Sequence, residues 1–387
     1  MLKEVAKTNT ITEVNNMAKL PSLTDIVNSV SESEYRQAMQ DPLKVEKDWN
    51  KFKTSRGAGT GLSMISDMDP RKTSGNRKIA KNATHSSLVV SHTHQMGMSL
   101  SQADSGGMFD ACAGCRTPAC TKLCNATGGH MARPNSAAEL AKQTRSAYWA
   151  ENPQFAGALA VQQTRDGARS SRALGLIPAV RSNMWSDVPW HRTTLAGPWI
   201  ADFNEPGSTD REAIGLAKTH PMLTHTNYTK ETMNRVLRPG EREPEDSAPS
   251  NYKLTGSISE QTPVERVRQR LTSGRTAQAV VWGGRKKTKP TSWTMEDSSG
   301  ARETFTAYDS DTYDARMHDE AFGYGGQVGL LRQKQTKGGY HGMEASNSSF
   351  VRPLDPDAPV GSPTGIPKKY AKATSVSLSR KPSRKQM

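Results

Sequence analysis

Residues 251–282 read NYKLTGSISEQTPVERVRQRLTSGRTAQAVVW. Two short runs, Asn251–Ile258 and Ala277–Trp282, carry the β-branched and aromatic residues of strands. Between them, Pro263–Leu271 places Val264, Val267 and Leu271 at helical spacing. Strand, helix and strand in so short a stretch predict a parallel βαβ unit.

The alternation continues outward from this segment. Upstream, Leu176–Val180 (LIPAV) and Met222–Thr226 (MLTHT) read as strands, with helices expected at Thr209–Lys218 and Lys230–Leu237. Downstream, Val328–Leu331 reads as a final strand. Earlier still, SSLVVS at Ser86–Ser91 is expected as a strand, followed by a helix over Ser136–Glu151 that starts at a capping box of Ser136 and Glu139. A second helix is expected from Pro153 to about Ser170, weakened by Gly157. Strands alternating with helices imply an α/β fold with parallel pairing. The expected architecture is an incomplete or irregular β/α barrel-like core; the alternative is an open doubly wound sheet.

Composition bounds what surrounds that core. Leu, Ile, Val and Phe make up about 15% of the 387 residues, low for a chain packed throughout. The expected division is a polar, partly helical N-terminal extension over residues 1–75, with helices around Leu23–Val30 and Glu32–Lys53, and an α/β core over 76–335. A basic, disordered tail over 336–387 completes it. Residues 352–387 hold eight Lys and Arg against Asp355 and Asp357 in a Pro- and Ser-rich setting. The whole chain is basic, with a net charge of +14, which suits a polyanionic partner such as nucleic acid or a nucleotide. No apolar run is long enough to span a bilayer, and the first residues lack a secretory apolar stretch, so a cytoplasmic protein is expected.

All four cysteines, Cys112, Cys115, Cys120 and Cys124, fall in one C-x2-C-x4-C-x3-C run inside a loop expected at 108–131. In a reducing compartment such a group is more consistent with metal ligation than with disulfides. Four thiolates suit zinc or an iron–sulfur cluster, and the spacing lies near both the zinc-knuckle and the ferredoxin patterns. His130 is a conceivable substitute ligand.

Other clusters are weaker. His92-Thr93-His94 resembles the paired histidines of rolling-circle nickases, with Tyr228 or Tyr252 as nucleophile, but its middle residue is not apolar. Asp309, Asp311, Asp314 and Asp319, with His318 among them, form an acidic run that reads as a solvated loop or a magnesium site. Gly283-Gly284-Arg285-Lys286-Lys287 reads as a basic turn without the phosphate-loop ending. In α/β folds, ligands sit at the carboxyl ends of strands. There the sequence places Arg181, Ser182, Asn183, Ser186 and Asp187, then Asn227, Tyr228 and Lys230, then Ser259 and Glu260.

Six segments in order give the chain a resemblance to the gene-product-88 family of uncharacterised proteins from actinobacterial phages and related mobile elements. They are GMSLSQADSGG before CAGCRTPACTKLC, GLIPAVRSNMWSDVPW, THTNYTK, NYKLTGSISE, AVVWGG, and AYDSDTYDARMHDEAFGYGGQVGLL, together covering about residues 85–335. The resemblance implies a phage setting and a shared site, without a reaction. Its matching positions are Cys115, Cys120 and Cys124; Arg181, Asn183, Ser186 and Asp187; Tyr228 and Lys230; Asn251, Tyr252 and Ser259; and Asp309, Asp311, Asp314 and Arg316. The long N-terminal region, the basic tail and the Cys112-x2-Cys115 pair depart from it. The expected function is a phage-encoded metalloprotein acting on a nucleotide or another anion, with Asp187 as acid or base and Lys230 and Arg181 holding the substrate. Alternatives are a zinc-knuckle-like nucleic-acid-binding protein and a structural or host-interaction protein held by its metal.

Overall fold

Eight strands lie side by side in the order β1-β2-β3-β4-β5-β8-β7-β6 in a computed structural model that describes residues 20–66, 86–101, 108–112, 136–184, 186–203, 223–282, 291–297, 299–332 and 352–353. The strands are β1 (Thr93–Gly97), β2 (Ile177–Arg181), β3 (Thr224–Thr229), β4 (Tyr252–Ser257), β5 (Ala277–Trp282), β6 (Ser292–Glu296), β7 (Arg302–Asp309) and β8 (Val328–Arg332). Every pair is parallel except β6–β7 at one edge, and a two-residue β9 (Arg352–Pro353) adds to β5. The protein is therefore α/β with a mostly parallel sheet. Among the described residues no pairing joins β1 to β6.

Seven α-helices accompany the sheet among these residues: α1 (Leu23–Asn28), α2 (Glu32–Ala38), α3 (Pro42–Ser55), α4 (Leu88–Ser91), α5 (Ala137–Glu151), α6 (Pro153–Ala173) and α7 (Val264–Thr272). Caps at their starts follow from the sequence. Ser22 and Ser31 each form a capping box, Asp41 accepts from Lys44, and Ser136 accepts the Glu139 amide at 3.2 Å. The helix expected over Glu32–Lys53 is two helices, because Asp41 caps afresh and Pro42 takes the first position of α3.

Parallel partners share a face of a sheet, so the register fixes which side each residue occupies. Met96, Val180, His225 and Tyr252 follow one another across β1–β4, and Gly256, Ala277, Val328 and Ala307 continue the same face. This is the helix face. Met96 and Val180 pack with α6, while Ala277, Ala279 and Leu330 pack with Val264, Val267 and Leu271 of α7. Both crossover helices thus cover one side, and β1 to β5 run in sequence order. Doubly wound sheets reverse order and place helices on both faces.

Residues 20–66 contribute to the main core rather than standing apart from it. Leu23, Val27, Tyr35, Val45, Trp49 and Met64 are buried with Tyr148, Trp149 and Leu159 of α5 and α6. On α7, Arg266 and Arg270 are fully buried beside the apolar stripe, and both engage Glu243. Burial opposes the charge on Glu243, yet the two guanidiniums hold its carboxyl below the usual range.

Several sequence expectations need correction. The run Ser86–Ser91 is not a strand: Leu88–Ser91 is the helical turn α4, and the first strand begins two residues later at Thr93. The helix expected over Lys230–Leu237 is a single 3-10 turn at Glu231–Met233. The β6–β7 hairpin lay outside the βα alternation. Its signal was Trp293 and Met295 answering Phe305 and Glu303 across the Asp297–Gly300 turn, where Gly300 takes φ 83°. The helix expected at Thr209–Lys218 lies outside the described residues.

Gly157 has a packing reason that overrides its poor helix propensity. A Cβ there would sit 2.3 Å from Cε1 of Tyr35, whose hydroxyl donates to Val27 O at 3.0 Å. Gly157→Ala should therefore destabilise the protein by about 1–3 kcal/mol, despite a gain of roughly 1 kcal/mol in helix propensity. Urea unfolding reads the sign directly.

Candidate functional site

The carboxyl ends of β2 and β3 bring together several of the residues that the sequence put forward. After β2 the chain turns at Ser182–Pro189, and the Asn183 side chain organises that turn. Its Oδ1 accepts from Ser186 Oγ at 2.9 Å, Val188 N at 3.3 Å and Trp190 Nε1 at 2.8 Å, while its Nδ2 donates to Val188 O at 2.8 Å. The Asn183 N–H donates to Asn227 Oδ1 at 2.7 Å, and Asn227 Nδ2 donates to the Tyr252 hydroxyl at 2.9 Å. The Asn227 amide thereby ties the loop after β2 to the first residue of β4.

Asp187 is buried, and its Oδ2 accepts the Lys230 backbone N–H at 2.9 Å, joining the β2 loop to the turn after β3. The Asp187 N–H donates to Ala111 O at 2.9 Å, which sets Cys112 at the root of the cysteine run beside this cluster. Cys112 is partly buried. Cys115, Cys120, Cys124 and His130 lie outside the described residues, as does Gly283–Lys287. Among the described residues no group of three His, Cys, Asp or Glu is arranged to hold a metal ion. Ser259 sits apart, holding its own turn: its Oγ donates to Asn234 Oδ1 at 2.8 Å and its N–H to Thr262 Oγ1 at 2.8 Å. Asn251 likewise serves structure, donating from Nδ2 to Ile200 O and Leu223 O.

The face of the sheet opposite the helices is polar. It carries Thr93, Gln95, Arg181, Thr226, Tyr228, Thr255, Ser257 and Gln278. The acidic run that sequence alone assigns to solvent lies against this face. Arg181 Nη1 meets Asp314 Oδ2 at 2.6 Å, and the Arg181 guanidinium lies 4.6 Å from the Tyr228 ring centroid. Tyr308 and Tyr313 donate to the two oxygens of Asp319 at 2.7 and 2.6 Å, and Arg316 pairs with the same carboxylate. Gln278 donates to Ser310 Oγ at 2.7 Å, and Thr93 Oγ1 lies 2.9 Å from His318 Nε2. Burial pushes the Tyr228, Tyr308 and Tyr313 phenols up. It also raises Asp319, against the pull of Arg316 and the two phenols. These acids are ion-paired parts of the fold, and the solvated-loop expectation does not hold for Asp314 or Asp319.

The paired-histidine idea also fails on geometry. His94 Nδ1 approaches Ser171 Oγ on α6 at 2.5 Å, and His92 Nδ1 approaches Leu88 O at 2.8 Å. Tyr228 and Tyr252 are held among buried neighbours, and burial raises both phenols.

Two cavities flank these groups. One of about 10 Å³, the size for one water, is bounded by Asn183, Asp187, Thr229 and Tyr252 at the strand ends. A larger one of about 130 Å³ lies at the amino ends of β4 and β5, near Lys253, Arg275 and Glu320. That end of an α/β sheet serves stability more often than chemistry.

No described helix is long and apolar enough to cross a membrane. Residues 69–352 match the family described as Gene product 88. No curated protein and no solved structure matches the chain.

His225 supplies a pH test of this framework. Buried against Trp199 with ring centroids 5.6 Å apart, it is pushed down to about 3 by burial. His191 is lowered to about 4, by burial and then by Arg192. Unfolded histidines take up protons near pH 6.5 whereas these folded ones do not, so protonation favours the unfolded chain. Stability should be level above about pH 7 and fall as pH drops from about 6.5 toward 4. His225→Leu should flatten that slope in urea titrations at several pH values.

Proposed function

We propose that this chain, which belongs to the Gene product 88 family, is a metalloprotein that binds a nucleotide or similar anion at the carboxyl ends of β2 and β3. The observation that carries the proposal is the Asp187 N–H to Ala111 O bond, because it roots the cysteine run beside the strand-end cluster. Four thiolates in that run would hold zinc or an iron–sulfur cluster. Arg116 and Lys122 within the run would favour the thiolate form.

Roles within the proposed site follow from charge and position. Lys230, half-buried at the end of β3, would hold the anionic group. Asp187 would act as acid or base, oriented by the Lys230 amide. Asn183 and Ser186 would shape the loop that carries Asp187, and Tyr228 would brace Arg181 and Asp314 on the polar face, while Ser259 keeps the turn after β4. Arg181 is the residue whose role changes: its charge is already met by Asp314, so it would shape the site rather than clamp an anion. Sequential strand order with both crossover helices on one face supports an incomplete barrel, in which the polar face would be the interior.

Protein purified without oxygen should carry stoichiometric zinc, or be brown with absorption near about 400 nm from an iron–sulfur cluster. Cys120→Ser with Cys124→Ser should abolish it. Lys230→Met should weaken binding of nucleoside triphosphates about tenfold or more, as loss of a charge-assisted contact does. Metal-free protein, or unchanged nucleotide binding in Lys230→Met and Asp187→Asn, would count against the proposal. The net charge of +14 favours a second reading, nucleic-acid binding through a knuckle-like loop. In that case single-stranded oligonucleotides should bind with steep salt dependence.

A further inference from the structure

Gln95 on β1 is fully buried, and among the described residues neither its amide nitrogen nor its amide oxygen has a hydrogen-bond partner. Leaving both halves of a carboxamide unmet is costly, because each gave up a bond to water on folding. Gln95 shares the polar face with Thr93, which meets His318, and with Arg181, which meets Asp314. Beside it in the register stand Ala179 and, one step on, Gly97, so small residues border the carboxamide. The Nε of Arg181, on the neighbouring strand, is also buried without a partner.

The charges on this face cancel in pairs. Asp314 meets Arg181 and Asp319 meets Arg316. A phosphate placed here would find no uncompensated cation in either pair. What is unmet is neutral and two-sided: one acceptor and one amide donor on Gln95, with one further N–H from Arg181. A planar group with adjacent donor and acceptor satisfies that pattern, as a carboxamide does when it pairs with a base edge. The flat guanidinium of Arg181, lying over Tyr228, offers a surface for such a ring.

We infer that Gln95 reads the base edge of the bound nucleotide, with the base directed into the polar face and the phosphates outward toward Lys230. This rests on the nucleotide reading proposed above and adds what that reading lacks, a determinant of base choice.

The test titrates the full chain with ATP, GTP, CTP, UTP and baseless ribose 5-triphosphate, by calorimetry, in wild type and in Gln95→Met and Gln95→Glu. Wild type should prefer one base. Gln95→Met keeps the side-chain length but removes both polar atoms, and should weaken the preferred nucleotide about ten- to a hundredfold. Binding of ribose 5-triphosphate should stay unchanged. Gln95→Glu keeps an acceptor without the amide donors, so base preference should alter rather than vanish; it also serves if the Met variant fails to fold. Preference retained at wild-type strength in the folded variants overturns the role of Gln95 and leaves nucleotide binding standing. Triphosphates that bind without base discrimination do the same. If none of the five probes binds, the nucleotide reading falls and this inference falls with it.

Discussion

Asp319 has 1% of its surface exposed, and the arrangement of the polar face depends on how that carboxylate is met. Two phenols and a guanidinium surround it, from Tyr308, Tyr313 and Arg316. Burying an ionised carboxylate without partners would cost several kcal/mol. Meeting it requires the segment after β7 to fold back onto the sheet. Once there, the same segment presents Asp314 to Arg181, Ser310 to Gln278 and His318 to Thr93. A face that reads as polar along every strand therefore does not need solvent. Its partners arrive together on one stretch of chain.

This explains why some elements were legible in the sequence and others were not. The βαβ unit at 251–282 was legible because its pattern is local: α7 shows Val264, Val267 and Leu271 at helical spacing, and β5 is a short apolar run broken only by Gln278. The capped start of α5 and the start of α6 at Pro153 were legible for the same reason. The acidic run at 309–319 was not, since Asp314 is met by Arg181 and His318 by Thr93, both far away in the chain. SSLVVS misled because β-branched content is a weak signal over so few residues, and Ser87 is placed to start a helical turn. At the candidate site the sequence put forward Arg181, Asn183, Asp187, Tyr228 and Lys230 by strand-end position and by family resemblance. It could not reveal that Asn183 is fully committed to its own loop or that Arg181 is already neutralised. Gln95 was missed because a lone glutamine in a strand carries no pattern; its only signal is burial without a partner.

The Asn227 side-chain amide and the Asp187 carboxylate tie the ends of β2 and β3 together. Asn227 bridges two segments, accepting from the Asn183 backbone and donating to Tyr252, while the Asn183 side chain braces its own loop. The buried ion pairs lie elsewhere: Arg266 and Arg270 with Glu243 on the helix side, and Arg316 with Asp319 on the polar face. Excess positive charge is in turn carried by segments such as the basic residues of 352–387.

The separation has a consequence for how a ligand with one charged and one neutral end would be oriented. Compensated pairs on the polar face make it a poor host for phosphate but leave its unmet dipoles available, since a dipole in a low-dielectric setting is strongly favoured to find a partner. At the strand ends stands Lys230, the proposed holder of the anionic group, with its backbone N–H on Asp187. A charged end would therefore stay outward and a neutral end would enter, without any residue having to exclude the opposite pose sterically. Orientation would be set by where the chain has already spent its counter-charges, and Asp314 is the group that decides it: its carboxylate makes Arg181 a flat, neutralised wall instead of an anion clamp.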